Sequence, residues 1–557
     1  MKMKKLTLIL CAFALLFAAC NPEKPDDPSG GGGGSEPASW TVSGVVSGSD
    51  GTLLKDVVVS DGINCAVTGS DGRYYLDTDL SDRDYVFVST PSGWSAPVSD
   101  GLAVFWKFLK DCTKGSDGKY KDVNFTLNKI SNPERFSMLI FADPQPRGKG
   151  AGWDNMAYHA LDCCEDMYKD MKDMVSTLSG RPVYGMGLGD IVHRDHSLLP
   201  AYKKGLSTTG IACYNVIGNH DHDVNLPDDK TSCKTYESIL GPSNYSFNLG
   251  KCHFVVLDDM IAPDKSTGRD RDNCDTGLTD EIWQWLQNDL SSVPFDSILM
   301  VCAHSPMFRL LGGSERSGAR HFADYRNLFS KYSKVYAWAG HTHTTCNYVD
   351  KANPVIETHT LTRVTGALWT NEFLGANGTP RGYVVFDYDN GDVRWKFKPT
   401  YWQTGAFTGS YGGGGKQPGY EWRDWEYVGG RAVLKGSGKE LDDSYQMQIF
   451  APGTYGDKYV YVNVFMWDEM WKTPVFTTDG VPTTMKRVTE KDYRYSLSDW
   501  DITSFYQTNN SYLSKEFTPS KNNCDSMFRA FVDSAHGSGS VSVTDRFGNT
   551  FTSTITW

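Results

Sequence analysis

Hydrophobic and polar residues alternate in short runs between residues 40 and 130. Two of these runs, residues 57–59 and 85–88, have the length and composition of short β-strands. Asp-Gly pairs separate the runs, and a tight hairpin favours glycine because its turn requires a positive φ. These pairs are Asp50-Gly51, Asp61-Gly62 and Asp71-Gly72. The pattern predicts an antiparallel β-sandwich of about seven strands.

From residue 135 onward the period changes, and strand-like apolar runs alternate with helical patterns. The predicted strands cover residues 138–141, 183–188, 213–217, 253–257, 298–303 and 335–339. Apolar residues at helical spacing predict helices over residues 156–178, 279–290 and 320–332. Alternating strands and helices predict an α/β core, and ligands bind such cores at the carboxyl ends of the strands.

A third region is predicted to be all-β. A hairpin over residues 383–397, turning at Asn390-Gly391, is expected to close the second domain, residues 131–400. Strand-like alternation then returns within residues 401–557, for example at 459–466 and 540–557. Four tryptophans of this region fit a sandwich core, and a sugar-stacking platform is the alternative. They are Trp422, Trp425, Trp467 and Trp471.

The start of the chain predicts export. A basic segment precedes an apolar run, residues 6–19, which has the length of a signal-peptide core and is too short to span a bilayer. Residues 17–20, Phe-Ala-Ala-Cys, resemble a bacterial lipoprotein cleavage box, so residues 1–19 are expected to be removed and Cys20 to carry a lipid. An ordinary signal peptide with an incidental cysteine is the alternative. Residues 20–39 are polar and contain five consecutive glycines, which predicts a flexible tether. We therefore expect the protein at the bacterial cell envelope, attached to the membrane through this anchor only.

Length and charge narrow the possible functions. A chain of 557 residues is expected to form two or three domains. Its formal charge of -12 argues against a nucleic-acid partner, because such binding requires clustered Lys and Arg. Without Cys11 and Cys20, an odd number of the 13 cysteines remains, and two disulfides are compatible with the sequence. They would join Cys65 to Cys112 and Cys233 to Cys274.

Five strand-to-loop junctions in the second domain end in side chains that bind metal ions. Their residues are Asp143, Gln145, Asp190, Asn219, His220, Asp221, His304, His341 and His343. These residues follow one another along the chain in an order that resembles that of the calcineurin-like metallophosphoesterases, and the resemblance covers about residues 135–400. The segment 68–76 in the first domain resembles the carboxypeptidase-regulatory, transthyretin-like modules of exported bacterial proteins.

The resemblance to metallophosphoesterases implies a β-sandwich core flanked by helices, with two divalent metal ions. It implies that Asp190 bridges both ions and that a hydroxide held between them attacks phosphorus in line. The first ion would be held by Asp143, Gln145, Asp190 and His343. The second would be held by Asp190, Asn219, His304 and His341. It further implies that His220 faces the leaving oxygen, and we expect Asp221 to orient that imidazole and keep it protonated.

Gln145 departs from the family's pattern, which usually has histidine there. An amide oxygen is a weaker and harder ligand than imidazole, so the first ion is expected to bind less tightly. The metal is expected to be Mn, Fe or Zn.

Other residues are candidates for substrate binding. His193 and Arg194 follow Asp190, and Arg147 lies in the first loop, so we expect them to reach a phosphate oxygen; a solvated loop is the alternative. His359 and Trp369 are expected to line the pocket. The sequence thus predicts a hydrolase of phosphate mono- or diesters at the cell envelope. The alternatives are a surface glycan-binding lipoprotein with a vestigial, non-catalytic core and a metal-dependent nuclease.

Overall fold

A computed structural model describes most of the chain. The described residues are 36–148, 160–270, 273–310, 313–366, 375, 377–402, 425–428, 431–434, 438–453, 457–488 and 525–557. Over these ranges no helix is long and apolar enough to cross a membrane.

The first module consists of short strands joined by tight turns. Its strands are β1 Val42–Gly48, β2 Val58–Ser60, β3 Cys65–Val67, β4 Arg73–Leu76, β5 Tyr85–Val88, β6 Trp94–Ser95, β7 Val98–Ser99, β8 Leu102–Ala103, β9 Trp106–Phe108 and β10 Phe125–Lys129. Eight of them form two four-stranded sheets, in the orders β4-β1-β10-β6 and β3-β2-β5-β9. Asp61-Gly62 joins the paired strands β2 and β3, whereas Asp71-Gly72 carries the chain from one sheet to the other.

The second module is built on two larger sheets with helices. Its strands are β11 Arg135–Phe141, β12 Val183–Leu188, β13 Ala212–Val216, β14 Tyr245–Leu249, β15 Cys252–Leu257, β16 Met260–Ile261, β17 Asp275–Thr276, β18 Ile298–Ala303, β19 Lys334–Ala339, β20 Cys346–Val349, β21 Ile356–Thr360, β22 Gly382–Asp389 and β23 Asp392–Pro399. Its helices are α1 Ala160–Thr177, α2 Leu199–Ser207, α3 Asp229–Ser232, α4 Lys234–Leu240, α5 Asp280–Leu290 and α6 Phe322–Phe329. The sheets have the orders β23-β22-β11-β12-β13-β8-β7 and β14-β15-β18-β19-β21-β20.

The two sheets pack face to face and form the centre of the molecule. Across the interface, the rings of Tyr214 and Phe247 stack at 3.8 Å, and those of Phe136 and Phe254 lie 6.2 Å apart. Helix α1 covers the outer face of the first sheet with buried side chains at helical spacing, such as Met167. Helices α5 and α6 bury aromatic side chains in the same core as the second sheet. The predicted β-sandwich flanked by helices is therefore confirmed.

Two predicted helices differ in their bounds. The prediction for α1 began at residue 156, which lies outside the described residues. Helix α6 is shorter than predicted and begins at Phe322, because His321 has a φ of 61° and cannot continue a right-handed helix.

The first module is joined to the second by a shared sheet. Strands β7 and β8 extend the seven-stranded sheet, where Leu102 pairs with Cys213. The ring of Phe105 packs against Tyr245 at 4.5 Å inside the common core. The two modules therefore share a sheet and a core and pack as one body.

In the part of the third module that the structure describes, the regular elements are all strands. Its strands are β24 Trp425–Val428, β25 Arg431–Leu434, β26 Met447–Phe450, β27 Tyr459–Val464, β28 Val475–Thr478, β29 Val481–Thr484, β30 Lys486–Arg487, β31 Met527–Phe531, β32 Ser538–Thr544 and β33 Thr550–Thr556. Most of them form two four-stranded sheets, β26-β27-β31-β30 and β29-β28-β32-β33. The half-buried Arg546 docks this module onto the second one, because its guanidinium pairs with Glu357 on β21. It also pairs with Asp468 of its own module at 3.2 Å.

These facts bear on two sequence expectations. Cys65, Cys112 and Cys233 carry free thiols, so neither expected disulfide, Cys65–Cys112 or Cys233–Cys274, is formed. Trp467 packs against Phe528, and Trp471 against Phe551, as core-filling rings do. Trp422 lies outside the described residues.

Candidate metal centre

Five loops of the second module meet at one edge of the sandwich. Three follow β11, β12 and β13, which are parallel neighbours in the first sheet, and two follow β18 and β19, which are parallel neighbours in the second. Parallel strands present their carboxyl ends at the same edge, so polar residues that follow them are brought together. The seven expected metal ligands all lie on these loops.

Asp190 lies at the centre of this group and is almost fully buried. Its Oδ1 is 3.3 Å from Nε2 of His304, which comes from the other sheet. Its Oδ2 accepts a hydrogen bond from Nε2 of Gln145 at 3.2 Å. This carboxylate therefore contacts residues of both sheets, as a bridging ligand must.

The first set of side chains combines two carboxylates with an imidazole. Ligand atoms of Asp143, Asp190 and His343 all lie within 4.8 Å of one another. Nε2 of His343 is 3.5 Å from Oδ1 of Asp143. Gln145 adjoins this set through its contact with Asp190.

The second set shares Asp190 and adds two imidazoles. Ligand atoms of Asp190, His304 and His341 again lie within 4.8 Å of one another. Oδ1 of Asn219 is 3.2 Å from Nε2 of His304 and 3.1 Å from Nδ1 of His341. An amide oxygen and two imidazole nitrogens thus face one point.

The backbone at this edge is strained. Non-glycine residues rarely adopt a positive φ, and each such conformation costs roughly 1–3 kcal/mol. Five of the seven expected ligands have one. They are Asp143 at 51°, Gln145 at 42°, Asp190 at 48°, His341 at 65° and His343 at 58°. Such strain is concentrated at functional sites, where the fold holds side chains in a fixed geometry.

Two glycines leave room for the carboxylates. A Cβ added to Gly218 would lie 2.2 Å from the backbone nitrogen of Asp190. A Cβ added to Gly340 would lie 2.3 Å from Oδ2 of Asp143. Any side chain at either position would displace an expected ligand.

The donor set fits divalent metal ions. Oε1 of Gln145 and Nε2 of His343 are buried and have no hydrogen-bond partner, although such atoms normally have one. Carboxylate, amide and imidazole groups together suit ions such as Mn, Fe and Zn. A pair of metal ions requires two adjacent ligand sets that share a bridging group, and the two sets here share Asp190.

The charges in the centre are strongly coupled. Burial opposes ionisation of Asp190, but His304 and His220 hold the pKa of its carboxyl well below the usual range. Burial likewise opposes charge on His304, but Asp190 raises its pKa to about 10. Burial and the neighbouring His304 lower the pKa of His341 to about 3, so it stays neutral and able to bind a metal.

His220 lies beside this centre and is oriented by an arginine. Nε of Arg194 donates to Nδ1 of His220 at 3.1 Å, and Nε2 of His220 is 4.0 Å from Oδ2 of Asp190. The ring of His193 lies 4.2 Å from that of His220. Burial lowers the pKa of His220, which favours a neutral ring with its proton on Nε2.

The role expected for Asp221 is wrong. Its carboxylate does not contact the His220 ring; it accepts hydrogen bonds from the backbone N–H groups of Ile191, Val192 and Gly218 at 2.8–3.0 Å. A buried carboxylate is stabilised by such donors, and these three hold two ligand-bearing loops together. Asp221 therefore holds the loops that carry the expected ligands, and Arg194 orients His220 instead.

His359 also lies elsewhere than expected. It is buried in the sheet, where it stacks on Trp338 at 4.5 Å and bonds to Oδ1 of Asn347 at 2.9 Å. It therefore does not line the centre. Arg147 lies in the first loop; burial lowers the pKa of His193 to about 3, and the nearby charge of Arg147 contributes to this shift. Trp369 and Cys20 lie outside the described residues.

Two supporting residues were missed by the sequence analysis. Buried Arg363 donates to the backbone carbonyls of Asp143, Pro144 and Gln145 at 3.2–3.4 Å and thereby holds the first loop. No sequence signal marks it. Asp259 accepts the backbone N–H groups of His304 and Ser305, and it lies two residues after the end of β15, close to a strand end like the expected ligands.

We predict that Gly340→Ala lowers metal affinity roughly 10- to 100-fold, the range typical when ligand positioning is lost. The added methyl group must displace the Asp143 carboxylate. Gly318→Ala is the control, because a Cβ there meets nothing within 4 Å. Metal content after dialysis measures the effect, and equal content in both variants contradicts the prediction.

Two family models match the outer modules of this chain. A model described as the N terminal of calcineurin-like phosphoesterase matches residues 40–130, and one described as the C terminal of calcineurin-like phosphoesterase matches residues 411–551. A search of curated proteins found no significant match.

Three solved structures are similar to this chain. A dimetal phosphatase from Danio rerio is 15% identical, with 47% of this chain and 95% of that chain covered and a TM-score of 0.32. A purple acid phosphatase from yellow lupin seeds is 13% identical, with 62% and 67% covered and a TM-score of 0.33. GAP50, the anchor in the inner membrane complex of Plasmodium, is 12% identical, with 49% and 87% covered and a TM-score of 0.32. Likenesses at TM-scores this low do not bear on function.

The family matches lie on either side of the five loops that form the metal centre. The outer modules of this chain are therefore similar to the N-terminal and C-terminal regions of calcineurin-like phosphoesterases.

Proposed function

We propose that the protein hydrolyses phosphate mono- or diesters with two divalent metal ions, of Mn, Fe or Zn. The observation that carries this proposal is the convergence of seven metal-binding side chains from five loops around the Asp190 carboxylate. Phosphate-ester hydrolysis requires an activated water and neutralisation of charge on the phosphoryl oxygens, and a pair of bound metal ions supplies both.

The residues divide into two ligand sets. The first ion would be held by Asp143, Gln145, Asp190 and His343. The second would be held by Asp190, Asn219, His304 and His341. The unpartnered Oε1 of Gln145 and Nε2 of His343 support the first set, and the neutral His341 imidazole supports the second.

His220 is suited to donating a hydrogen bond to the leaving oxygen. Arg194 occupies Nδ1 of the ring, so the proton is on Nε2, the side that faces Asp190. Burial lowers the pKa of this imidazole, so the ring stays neutral and its Nε2–H can donate a hydrogen bond that stabilises charge on the leaving oxygen. Arg194 and Arg147 carry positive charges beside the centre, which suits them to bind the phosphate oxygens of the substrate.

We also propose that the protein acts at the bacterial cell envelope through a lipid on Cys20. Support comes from the sequence alone: a basic start, an apolar run of signal-peptide length and a small-residue box before the cysteine. The acidic charge of the chain argues for a substrate other than a nucleic acid.

Asp190→Asn is expected to lower hydrolysis of an aryl phosphate roughly 100-fold or more, because the change removes charge from both ligand sets at once. Metal content should fall in parallel. Asp296→Asn, an exposed carboxylate of the same module, is the control. Full turnover by Asp190→Asn would refute the proposed chemistry.

His220→Asn is expected to slow hydrolysis about 100- to 1,000-fold for alkyl phosphates, whose leaving oxygen carries the charge that this hydrogen bond stabilises. The loss should be smaller for nitrophenyl phosphate, whose leaving group is stable as an anion, and metal content should be unchanged. The exposed His536→Asn serves as the control. An equal loss for both substrates would argue against a role for His220 at the leaving oxygen.

Cys20→Ala is expected to move the protein from the membrane fraction to the soluble fraction of a bacterial host, because the lipid can be attached only to the cysteine. Cys11→Ala, inside the expected signal peptide, should remain in the membrane fraction. Immunoblotting of both fractions gives the result. A membrane-bound Cys20→Ala protein would remove the basis for the anchor.

A further inference from the structure

A second group of metal-binding side chains lies apart from the Asp190 centre. It consists of His222 in the loop after β13, Cys233 between α3 and α4, and Asp258 directly after β15. All three are buried, with 1%, 6% and 3% of their surfaces exposed. Their ligand atoms lie within 4.8 Å of one another. None of these residues belongs to the two ligand sets described above.

The neighbouring Ser232 fixes the state of the His222 ring. The hydroxyl of Ser232 donates to the backbone carbonyl of Asp229 at 2.5 Å, so its oxygen is left to accept a bond from Nδ1–H of His222 at 2.7 Å. Nε2 of His222 then faces Oδ1 of Asp258 at 3.3 Å. A bare nitrogen lone pair cannot face a carboxylate stably, so a positive charge must lie between them, either a proton or a metal ion.

The arrangement around His222 is that of a metal ligand. Histidines that bind metals usually donate their other ring N–H to a neighbouring oxygen, as His222 does to Ser232. The Asp258 carboxylate also faces the thiol, since Oδ2 is 3.4 Å from Sγ of Cys233. Ligand atoms around a tetrahedral zinc ion lie about 3.3–3.6 Å apart, given usual bond lengths. Both Asp258 contacts fit that spacing.

The surroundings favour a cation. Asp229 brings a second carboxylate, with Oδ1 3.9 Å from Nδ1 of His222. Burial opposes charge on His222, but Asp258 raises its pKa to about 9. The group thus attracts positive charge despite its burial, and a metal ion would replace the protons now on Nε2 and Sγ.

We propose that His222, Cys233 and Asp258 form a third, mononuclear site for a zinc-like transition metal ion. An imidazole, a thiolate and a carboxylate are the ligands that zinc uses in proteins. The site is separate from the proposed phosphoesterase chemistry, because the two ligand sets around Asp190 contain no cysteine.

The position of this site gives it a structural role. His222 directly follows Asp221, which holds the loops of Asp190 and Gly218. Asp258 directly precedes Asp259, whose carboxylate accepts the backbone N–H of His304 at 3.1 Å. A metal ion joining His222 to Asp258 would therefore tie together supports of both ligand sets of the centre.

Cobalt substitution of the full chain tests the proposal. Thiolate bound to Co²⁺ gives an intense charge-transfer band in the near ultraviolet, and among the three proposed metal sites only the third one contains a cysteine. After chelator treatment and Co²⁺ loading, wild type should show the band and three metal equivalents. Cys233→Ser should lose the band and one equivalent. Cys252→Ser, a buried cysteine on β15, is the matched control and should keep both.

Two further measurements make the outcome decisive. Zinc added in one equivalent should abolish the band of the wild type, a result that needs no variant if Cys233→Ser does not fold. Asp190→Asn should lose metal from the phosphoesterase centre and keep the band, so failure of one proposal is distinguishable from failure of the other. Cobalt-loaded wild type without the band, or a band that survives in folded Cys233→Ser, would overturn the third site.

Discussion

The contact between Asp190 and His304 is the interaction on which the centre depends. It joins the first sheet to the second at their carboxyl ends, with both side chains fully buried. Nδ1 of His304 donates to the backbone carbonyl of Leu188 at 2.8 Å, so Nε2 is directed at the carboxylate. A Cβ on Gly189 would lie 2.5 Å from the imidazole, which is why the residue before Asp190 has no side chain. Each buried charge would be costly alone, and together they fix how closely the two sheets approach.

Much of this architecture follows from the sequence, because the apolar runs of the second module are strands buried on both faces. Their ends therefore mark where polar residues gather, and the strand-end residues Asp143, Asp190 and His341 do meet. The direction in which a side chain points is harder to predict from the sequence. His359 lies on β21, where both faces of the sheet are covered, so the hydrophobic pattern cannot tell a residue that faces the core from one near the centre. Likewise, Arg363 serves the first loop from more than two hundred residues away, and nothing near it in sequence indicates that role.

Asp221 shows a related limit. A carboxylate after a strand has two ways to be satisfied: it binds a cation, or it accepts the backbone N–H groups of neighbouring loops. Asp190 is surrounded by imidazoles, whereas Asp221 has three backbone donors, and both follow strands of the same sheet. Only the three-dimensional arrangement of the loops separates the two cases. The same holds for the first module, whose strands β7 and β8 join the central sheet through a pairing that no local pattern encodes.

The dipeptide Asp258-Asp259 connects the His222 cluster to the loop that carries His304. Asp259 accepts the backbone N–H groups of His304 and Ser305, so it determines where the loop after β18 leaves the sheet. Asp258 points the other way, toward His222 and Cys233. Since adjacent residues of an extended segment face opposite sides, one peptide links the His222 cluster to a ligand of the Asp190 centre. A displacement of Asp258 by even a fraction of an ångström must then move Asp259 and, through it, the His304 backbone, because both carboxylates are held in closely packed surroundings.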